Sequence, residues 1–370
     1  MIPYILLIVI PVAFQFIAVK KNGRNILVVG NDAYINKNNF ALPVFFLIFL
    51  LLLVLRDESI GRDLGNYKSI FNYLSSQSLS GAMKYGLEPL YKLLNWGIGQ
   101  LTSSYQWFLG IVASMYVIPV AQLYCGDRRH GVLKIVLFVN LSTFIMMFSG
   151  LRQAIAMAIG MIAYRFVREK KLAAFIVTVL IAIGFHQSAI ILVIMYPLYH
   201  ITLRKIHLLF VVPGMIAIFV LNRPIFAFLV RIMGEYSDKY EGATATSTGA
   251  FGSLILFVLY AIFVYVIPDE KQMNREVSGL RNIMLLIVCI QCFAPLHNLA
   301  MRMNYYFLLF IPILIGKVLD IPSQRYRKVA QFAEVVLIVF FSFIFVRSTY
   351  ISSVTGISML DTVPYKPFWR

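Results

Sequence analysis

Side chains that could bind and activate a charged substrate occur at a few places in a strongly apolar chain. Arg152 lies within the apolar stretch MMFSGLRQAIAMAIG (146–160), and His186 lies in FHQSA (185–189). A guanidinium at membrane depth is costly unless it has a partner or a function. Arginine's planar donors fit phosphate and pyrophosphate, and histidine titrates near neutral pH. These residues therefore indicate chemistry on a phosphorylated substrate.

More charged residues of this kind fall in RDESIGRD (56–63), EPLY (88–91) and HNLAMRMNYY (297–306). Each of them also has a structural interpretation. Arg152 could extend to the lipid headgroups or cap a neighbouring helix. The 56–63 cluster could be a set of solvated salt bridges. Glu88 precedes a proline and could cap a helix start, and the histidine could be a structural hydrogen-bonding group.

Motifs that would indicate other chemistry are missing from the sequence. It contains no nucleotide-binding glycine loop, no G-x-S-x-G, no H-E-x-x-H and no histidine–carboxylate cluster with metal-ligand spacing. We therefore expect no cofactor and no metal. The three cysteines predict no disulfide framework, and Cys289 and Cys292 are expected to be packing residues in an apolar helix.

The composition predicts a polytopic membrane protein with an all-α fold. Of its 370 residues, 60% are hydrophobic and only 13% are charged, which is too little polar surface for a soluble domain. The net charge of +17 lies in short loops, so it does not indicate a nucleic-acid partner. Hydropathy predicts about twelve spans, near 2–19, 40–55, 106–124, 132–148, 151–167, 172–185, 187–199, 207–221, 250–267, 281–296, 299–316 and 329–346.

The distribution of lysine and arginine predicts the orientation of these spans. The loops with the denser basic clusters should be cytoplasmic, which places both termini and all the unusual polar segments outside. We expect a single integral membrane domain over 1–370. It would carry an outer loop with short surface helices over 56–105 and a flexible outer loop over 222–250.

The helices on either side of the two central motifs are short. About 14 apolar residues flank FHQSA on each side and cover only about 21 Å of a bilayer core of roughly 30 Å. A polar turn recessed in this way must line a water-filled cavity or be buried in protein. Arg152, His186 and Arg302 could then share one outward-facing pocket. Such a pocket suits a lipid-linked phosphate substrate handled outside without a nucleotide.

At these motifs the chain resembles the EpsG/Wzy family of O-antigen and exopolysaccharide repeat-unit polymerases. The resemblance covers the chain from about residue 56 to the end, in the family's order. Its pieces are GRDLGNYKSIF, EPLYKLLN, SGLRQAIA, FHQSAIILVIMYPL, MRMNYYF and the terminal PYK.

The resemblance implies a helical membrane glycosyltransferase similar to the GT-C class, without a metal. It would lie in the bacterial cytoplasmic (inner) membrane, with its active site facing the periplasm or outside. It would transfer a growing glycan from undecaprenyl pyrophosphate to the non-reducing end of an incoming lipid-linked unit. A chain-length regulator and a flippase would be its partners. Alternatives are an O-antigen ligase, a flippase of the lipid-linked unit, and an acyltransferase.

For that reaction, arginines would stabilise the charge that develops on the leaving pyrophosphate. Arg152 and Arg302 are the first candidates, followed by Arg62 and Arg56.

A base would take the proton of the attacking hydroxyl. His186 is the first candidate, and Asp63 and Glu88 are its rivals because burial can raise the pKa of a carboxylate. Side chains that could bind the sugars are Gln153, Gln187, Tyr67, Tyr91 and Tyr305.

Overall fold

The computed structural model describes residues 1–21, 40–232 and 248–369. Within these ranges the regular structure is helical, and extended pairing is limited to two isolated bridges, Arg56–Pro367 and Pro268–Pro322. An apolar chain in lipid must satisfy its backbone groups internally, and a helix does this within one segment. The prediction of an all-α fold is confirmed.

The α-helices are numbered here in chain order. They are α1 (Ile2–Lys21), α2 (Ala41–Val54), α3 (Leu64–Ser76), α4 (Leu79–Met83), α5 (Pro89–Gly99), α6 (Tyr105–Cys125), α7 (Gly131–Val139), α8 (Ser142–Ser149), α9 (Leu151–Arg168), α10 (Leu172–Phe185), α11 (Met195–His200), α12 (Leu208–Val220), α13 (Asn222–Ile232), α14 (Thr248–Val266), α15 (Arg275–Gln291), α16 (Asn298–Leu308), α17 (Ile311–Leu319) and α18 (Arg327–Thr355).

The chain forms two compact units. The first comprises residues 1–190 and 333–370, and the second comprises residues 191–332. Helices α1 to α10 and most of α18 belong to the first unit, and α11 to α17 belong to the second. In the first unit, α2, α6, α9 and α10 pack side by side, and α3 and α5 pack on each other.

Three helical segments of the described chain are long and apolar enough to span a membrane: α6, Gly249–Val266 within α14, and Gln324–Thr355, which contains α18. They correspond to the predicted spans 106–124, 250–267 and 329–346. The number rises to six if each bent pair forms one span; the pairs are α7 with α8 (62°), Lys205–Val220 with Asn222–Phe228 (76°), and α16 with α17 (44°). The protein is therefore a membrane protein, while twelve spans and the likeness to the GT-C class stay predictions.

The structure describes the two predicted outer loops to different extents. The segment 56–105 contains α3, α4 and α5. Of the segment 222–250, α13 occupies Asn222–Ile232 and α14 begins at Thr248, whereas residues 233–247 lie outside the described residues. The expectation of a flexible connection there stays a prediction.

Candidate functional site

The ends of two neighbouring helices bring Arg152 and His186 to the same end of the first unit. Arg152 is the second residue of α9, and His186 directly follows α10. The two helices are consecutive, joined by three residues, and pack against each other. An antiparallel pair of this kind places the start of one helix beside the end of the next. The predicted spans 151–167 and 172–185 match both helices closely.

Glu88 reaches the same place from the 56–105 segment. It is the N-cap residue of α5, with Pro89 at the first helical position, but its side chain makes no capping hydrogen bond. Helix α10 lies so close to α5 that a Cβ on Gly184 would come within 2.6 Å of the Leu90 side chain. This contact brings the end of α10 beside Glu88, and the carboxylate turns toward α9 and α10 instead of capping its own helix.

The Glu88 carboxylate links the arginine and the histidine. Arg152 Nη1 donates to Glu88 Oε2 at 2.5 Å, and His186 Nδ1 lies 3.2 Å from Glu88 Oε1. The backbone N–H of Gln187 also donates to Oε1, at 3.4 Å. The Glu88 side chain is only 7% exposed, whereas those of Arg152 and His186 are 25% and 18% exposed. The acid therefore lies behind the two groups that reach solvent.

The surroundings of Glu88 determine its protonation state. Burial by itself would raise its pKa, but the hydrogen bond from His186 and the charge of Arg152 outweigh burial and lower the pKa to about 2. Glu88 is therefore ionised at neutral pH and is a weak base. An ionised acceptor favours the proton on His186 Nδ1, so Nε2 is left to accept a proton from another group.

Two buried tyrosines form one side of this arrangement. The Arg152 guanidinium lies 6.0 Å from the centroid of the Tyr91 ring, and the Tyr67 and Tyr91 rings meet edge-on at 5.9 Å. Tyr67 is 7% exposed and Tyr91 is fully buried. The Tyr91 ring packs against the Arg152 guanidinium, and the Tyr67 side chain interacts with the same group. Sugar binding by Tyr67 and Tyr91 stays a prediction.

Asp63 lies near the start of α9 but contacts another residue. Its Oδ2 accepts a hydrogen bond from Ser149 Oγ at 3.0 Å, and its backbone N–H donates to Ser149 Oγ at 3.2 Å. Ser149 is the last residue of α8, three residues before Arg152. Gln153, the next residue, is buried. The sequence offered no direct signal for Ser149 beyond its place in SGLRQ.

The other arginine candidates of the first unit have different environments. Arg62 pairs with Asp361 at 3.1 Å, with both side chains more than half exposed. Arg56 is fully buried, and its guanidinium lies 5.5 Å from the centroid of the Phe148 ring. Among the residues that the structure describes, none is in hydrogen-bond geometry with its three side-chain nitrogens. A role for Arg56 in binding pyrophosphate stays a prediction.

Arg302 and Tyr305 belong to the second unit, on α16. Arg302 is exposed and Tyr305 is buried. His297 caps the start of α16, with its Nδ1 accepting the N–H of Leu299 at 2.9 Å. A pocket shared by Arg302 with Arg152 and His186 stays a prediction.

Comparison with known families identifies the chain. The sequence profile of the EpsG family matches residues 39–366, almost the whole chain and every candidate residue above. The chain belongs to the EpsG family. The predicted resemblance is thereby confirmed at the level of this family, and membership indicates a glycosyltransferase-like function of the polysaccharide-polymerase type. Searches of curated proteins and of solved structures each find no match.

Proposed function

We propose that the protein extends a bacterial exopolysaccharide or O-antigen on the extracytoplasmic face of the inner membrane. The donor is a glycan on undecaprenyl pyrophosphate, and the acceptor is the non-reducing end of an incoming undecaprenyl-pyrophosphate-linked repeat unit. The observation that carries the proposal is the Arg152–Glu88–His186 arrangement in a chain of the EpsG family.

Arg152 has the features that a pyrophosphate ligand requires. Glu88 occupies one of its nitrogens, and the side chain is still a quarter exposed, so another part of the guanidinium can meet a phosphate oxygen. As the glycosidic bond breaks, negative charge develops on the leaving pyrophosphate. An arginine fixed in advance by Glu88 and Tyr91 stabilises that charge without reorganising. Arg302 and Arg62 are further candidates for this role.

His186 has the features of a general base. Its Nε2 takes the proton of the acceptor hydroxyl while the hydroxyl oxygen bonds to the anomeric carbon of the donor. The bond from that carbon to the pyrophosphate oxygen breaks, and undecaprenyl pyrophosphate leaves with the bonding electrons. The ionised Glu88 stabilises the imidazolium that forms. Glu88 is a positioning residue in this scheme because its pKa is too low for a base.

Other residues are candidates to contact the rest of the substrate. Gln187 and Gln153, which neighbour His186 and Arg152 in sequence, are candidates to contact the sugars, as is Tyr305 in the second unit. The lipid tails lie in the bilayer, and a flippase and a chain-length regulator are the expected protein partners.

The first test compares surface polysaccharide and extracted lipid-linked oligosaccharide from cells with and without the gene. We expect deletion to leave single repeat units made and exported but to remove the ladder of longer chains. Complementation with wild-type protein should restore the ladder, and complementation with His186→Ala should not. Units trapped inside the cell would indicate a flippase, and long chains retained on their lipid carrier would indicate a ligase. An unchanged ladder would contradict the proposal.

A further inference from the structure

The C-terminal residues 357–369, called the C-terminal strap here, run along the start of the 56–105 segment. The hydroxyl of Tyr365 in this strap donates to the carbonyl oxygen of Leu52 at 3.0 Å. Four backbone hydrogen bonds join the strap to residues 55–62: Asp57 N–Lys366 O (2.8 Å), Phe368 N–Leu55 O (3.0 Å), Gly61 N–Asp361 O (3.1 Å) and Arg62 N–Leu360 O (2.9 Å).

The other side of the same loop rests on the end of α8. Gly61 has φ of +117°, which side chains rarely allow, and a Cβ at this position would overlap the carbonyl oxygen of Phe148. Two residues later, Asp63 makes its two hydrogen bonds with the fully buried Ser149. The loop is thus held between the C-terminal strap and the last residues of α8.

These contacts lie next to the two helix starts that carry the candidate site. Asp63 precedes α3, and Tyr67 on the first turn of α3 interacts with the Arg152 guanidinium. Ser149 is followed by Gly150 and then by α9, which carries Arg152. The link between Asp63 and Ser149 therefore joins the start of α3 to the start of α9.

We propose that Asp63 and Ser149 are positioning residues that set the place of Arg152, and that the C-terminal strap holds their loop in register. The proposal rests on the proposed function of Arg152 as a pyrophosphate ligand. The Ser149 hydroxyl donates to the Asp63 carboxylate and accepts the Asp63 backbone N–H, and two hydrogen bonds between the same two residues fix their distance and direction. The Arg152 side chain is then already oriented before the ligand binds, so binding loses less side-chain entropy.

The test measures binding of farnesyl pyrophosphate to the full-length protein in detergent, for wild type, Ser149→Ala, Arg152→Lys and the double variant. Loss of a hydroxyl bonded to a carboxylate should weaken binding roughly tenfold in Ser149→Ala. Ser149→Thr keeps a hydroxyl and should recover most of the affinity. In the Arg152→Lys background, Ser149→Ala should lower the affinity less than twofold, because the arginine that Ser149 positions is no longer there.

Ser114→Ala is the matched control. The Ser114 hydroxyl donates to the carbonyl oxygen of Gly110 within its own helix, so its loss should leave binding unchanged. Unchanged binding in Ser149→Ala would overturn this inference, as would an equal loss in both backgrounds. Unchanged binding in Arg152→Lys would instead contradict the proposed ligand role of Arg152.

A chain ending at Gly356, which lacks the C-terminal strap, extends the test. It should lose about as much affinity as Ser149→Ala and lose no more when the two changes are combined. If the shortened chain is unstable, Tyr365→Phe replaces it, because this variant keeps the strap and loses the hydroxyl bond to Leu52. Its affinity for farnesyl pyrophosphate should fall less than that of the shortened chain. Wild-type affinity in a folded, shortened chain would overturn the role of the strap.

Discussion

Arg152 and Arg56 are both arginines in apolar surroundings of the first unit, and the fold gives them opposite environments. Arg152 has a carboxylate at 2.5 Å and remains a quarter exposed. Arg56 is fully buried against the Phe148 ring, and among the described residues no carboxylate pairs with it. One guanidinium is held and accessible, and the other is enclosed.

Tyrosines surround the enclosed arginine. Its charge interacts with four of them, whose hydroxyls each donate to a backbone carbonyl: Tyr4 to Thr362, Tyr105 to Leu64, Tyr116 to Met147 and Tyr365 to Leu52. Arg56 thus lies at the centre of a packed junction of α1, α2, α6, α8 and the C-terminal strap. Two arginines in equally apolar surroundings therefore differ in what the fold leaves open, because part of the Arg152 side chain is accessible and the Arg56 side chain is not.

The largest expected effect separates the two arginines directly. Arg152→Met should lower the rate of chain growth about 100-fold or more, because the charge developing on pyrophosphate loses its stabilising partner. The rate is measured from the polysaccharide ladder formed in membrane vesicles, with protein amount and Tm as controls for folding. A rate near wild type in a folded Arg152→Met variant would make Arg152 a packing residue like Arg56.

A smaller effect is expected from Gly184→Ala, which tests how the accessible site is assembled. The new Cβ would press on Leu90 and move the end of α10, and with it His186, away from Glu88. We expect the rate to fall about fivefold to tenfold. Gly97→Ala is the matched control, because a Cβ there meets open space on α5. Equal rates in both variants would show that the contact between α10 and α5 does not control the site.

The stabilisation that Glu88 gives the Arg152 site should be lost at acid pH. The folded-state pKa of Glu88 is about 2, below its ordinary value of 4.5. The ionised carboxylate therefore contributes its full stabilisation above about pH 4.5 and loses it as the pH falls toward 2. Wild type should have a higher Tm than Glu88→Gln at pH 7, and the difference should shrink between pH 5 and pH 3, measured by thermal unfolding in detergent.

Glu58→Gln is the control for this pH series. Glu58 pairs with Lys68 at a half-exposed surface, where an ion pair adds little to stability. Its Tm should stay close to that of wild type at pH 7. A difference between wild type and Glu88→Gln that stays constant down to pH 3 would contradict the ionised link between Arg152 and Glu88.

The smallest effect is expected at the enclosed arginine. Arg56→Met removes a buried charge that has no acidic partner and keeps a side chain of comparable length, so no opposite charge is left unpaired. The rate should stay within about threefold of wild type and Tm within a few degrees. A fall in rate as large as that of Arg152→Met would indicate that Arg56 also binds the pyrophosphate.

Parts of this site followed from local sequence patterns. The bounds of α9 and α10 were predicted because the apolar run is interrupted by glycine at 150, by lysines at 170–171 and by the histidine at 186. The placement of Arg152 and His186 on the same side was predicted from the lysines and arginines clustered in the loops between spans, those at 165–171 among them. None of these signals depends on contacts between remote segments.

Other parts did not follow from the sequence. The role of Glu88 was open between helix cap and base, and its pKa was expected to be raised if it served as the base. The fold lowers that pKa instead, because Arg152 and His186 approach from 64 and 98 positions along the chain. The burial of Arg56 was not predicted either, because contacts with the far end of the chain leave no local pattern in the sequence.

The sequence by itself determined that this is a helical membrane protein of the EpsG type, because apolar run length and motif order are properties of the chain alone. It also determined which few side chains could bind phosphate or move a proton. Packing of the helices placed Arg152, Glu88 and His186 together. Contacts such as Gly184 on Leu90 and Asp63 on Ser149 depend on distances between remote segments, and those distances exist only once the helices have packed.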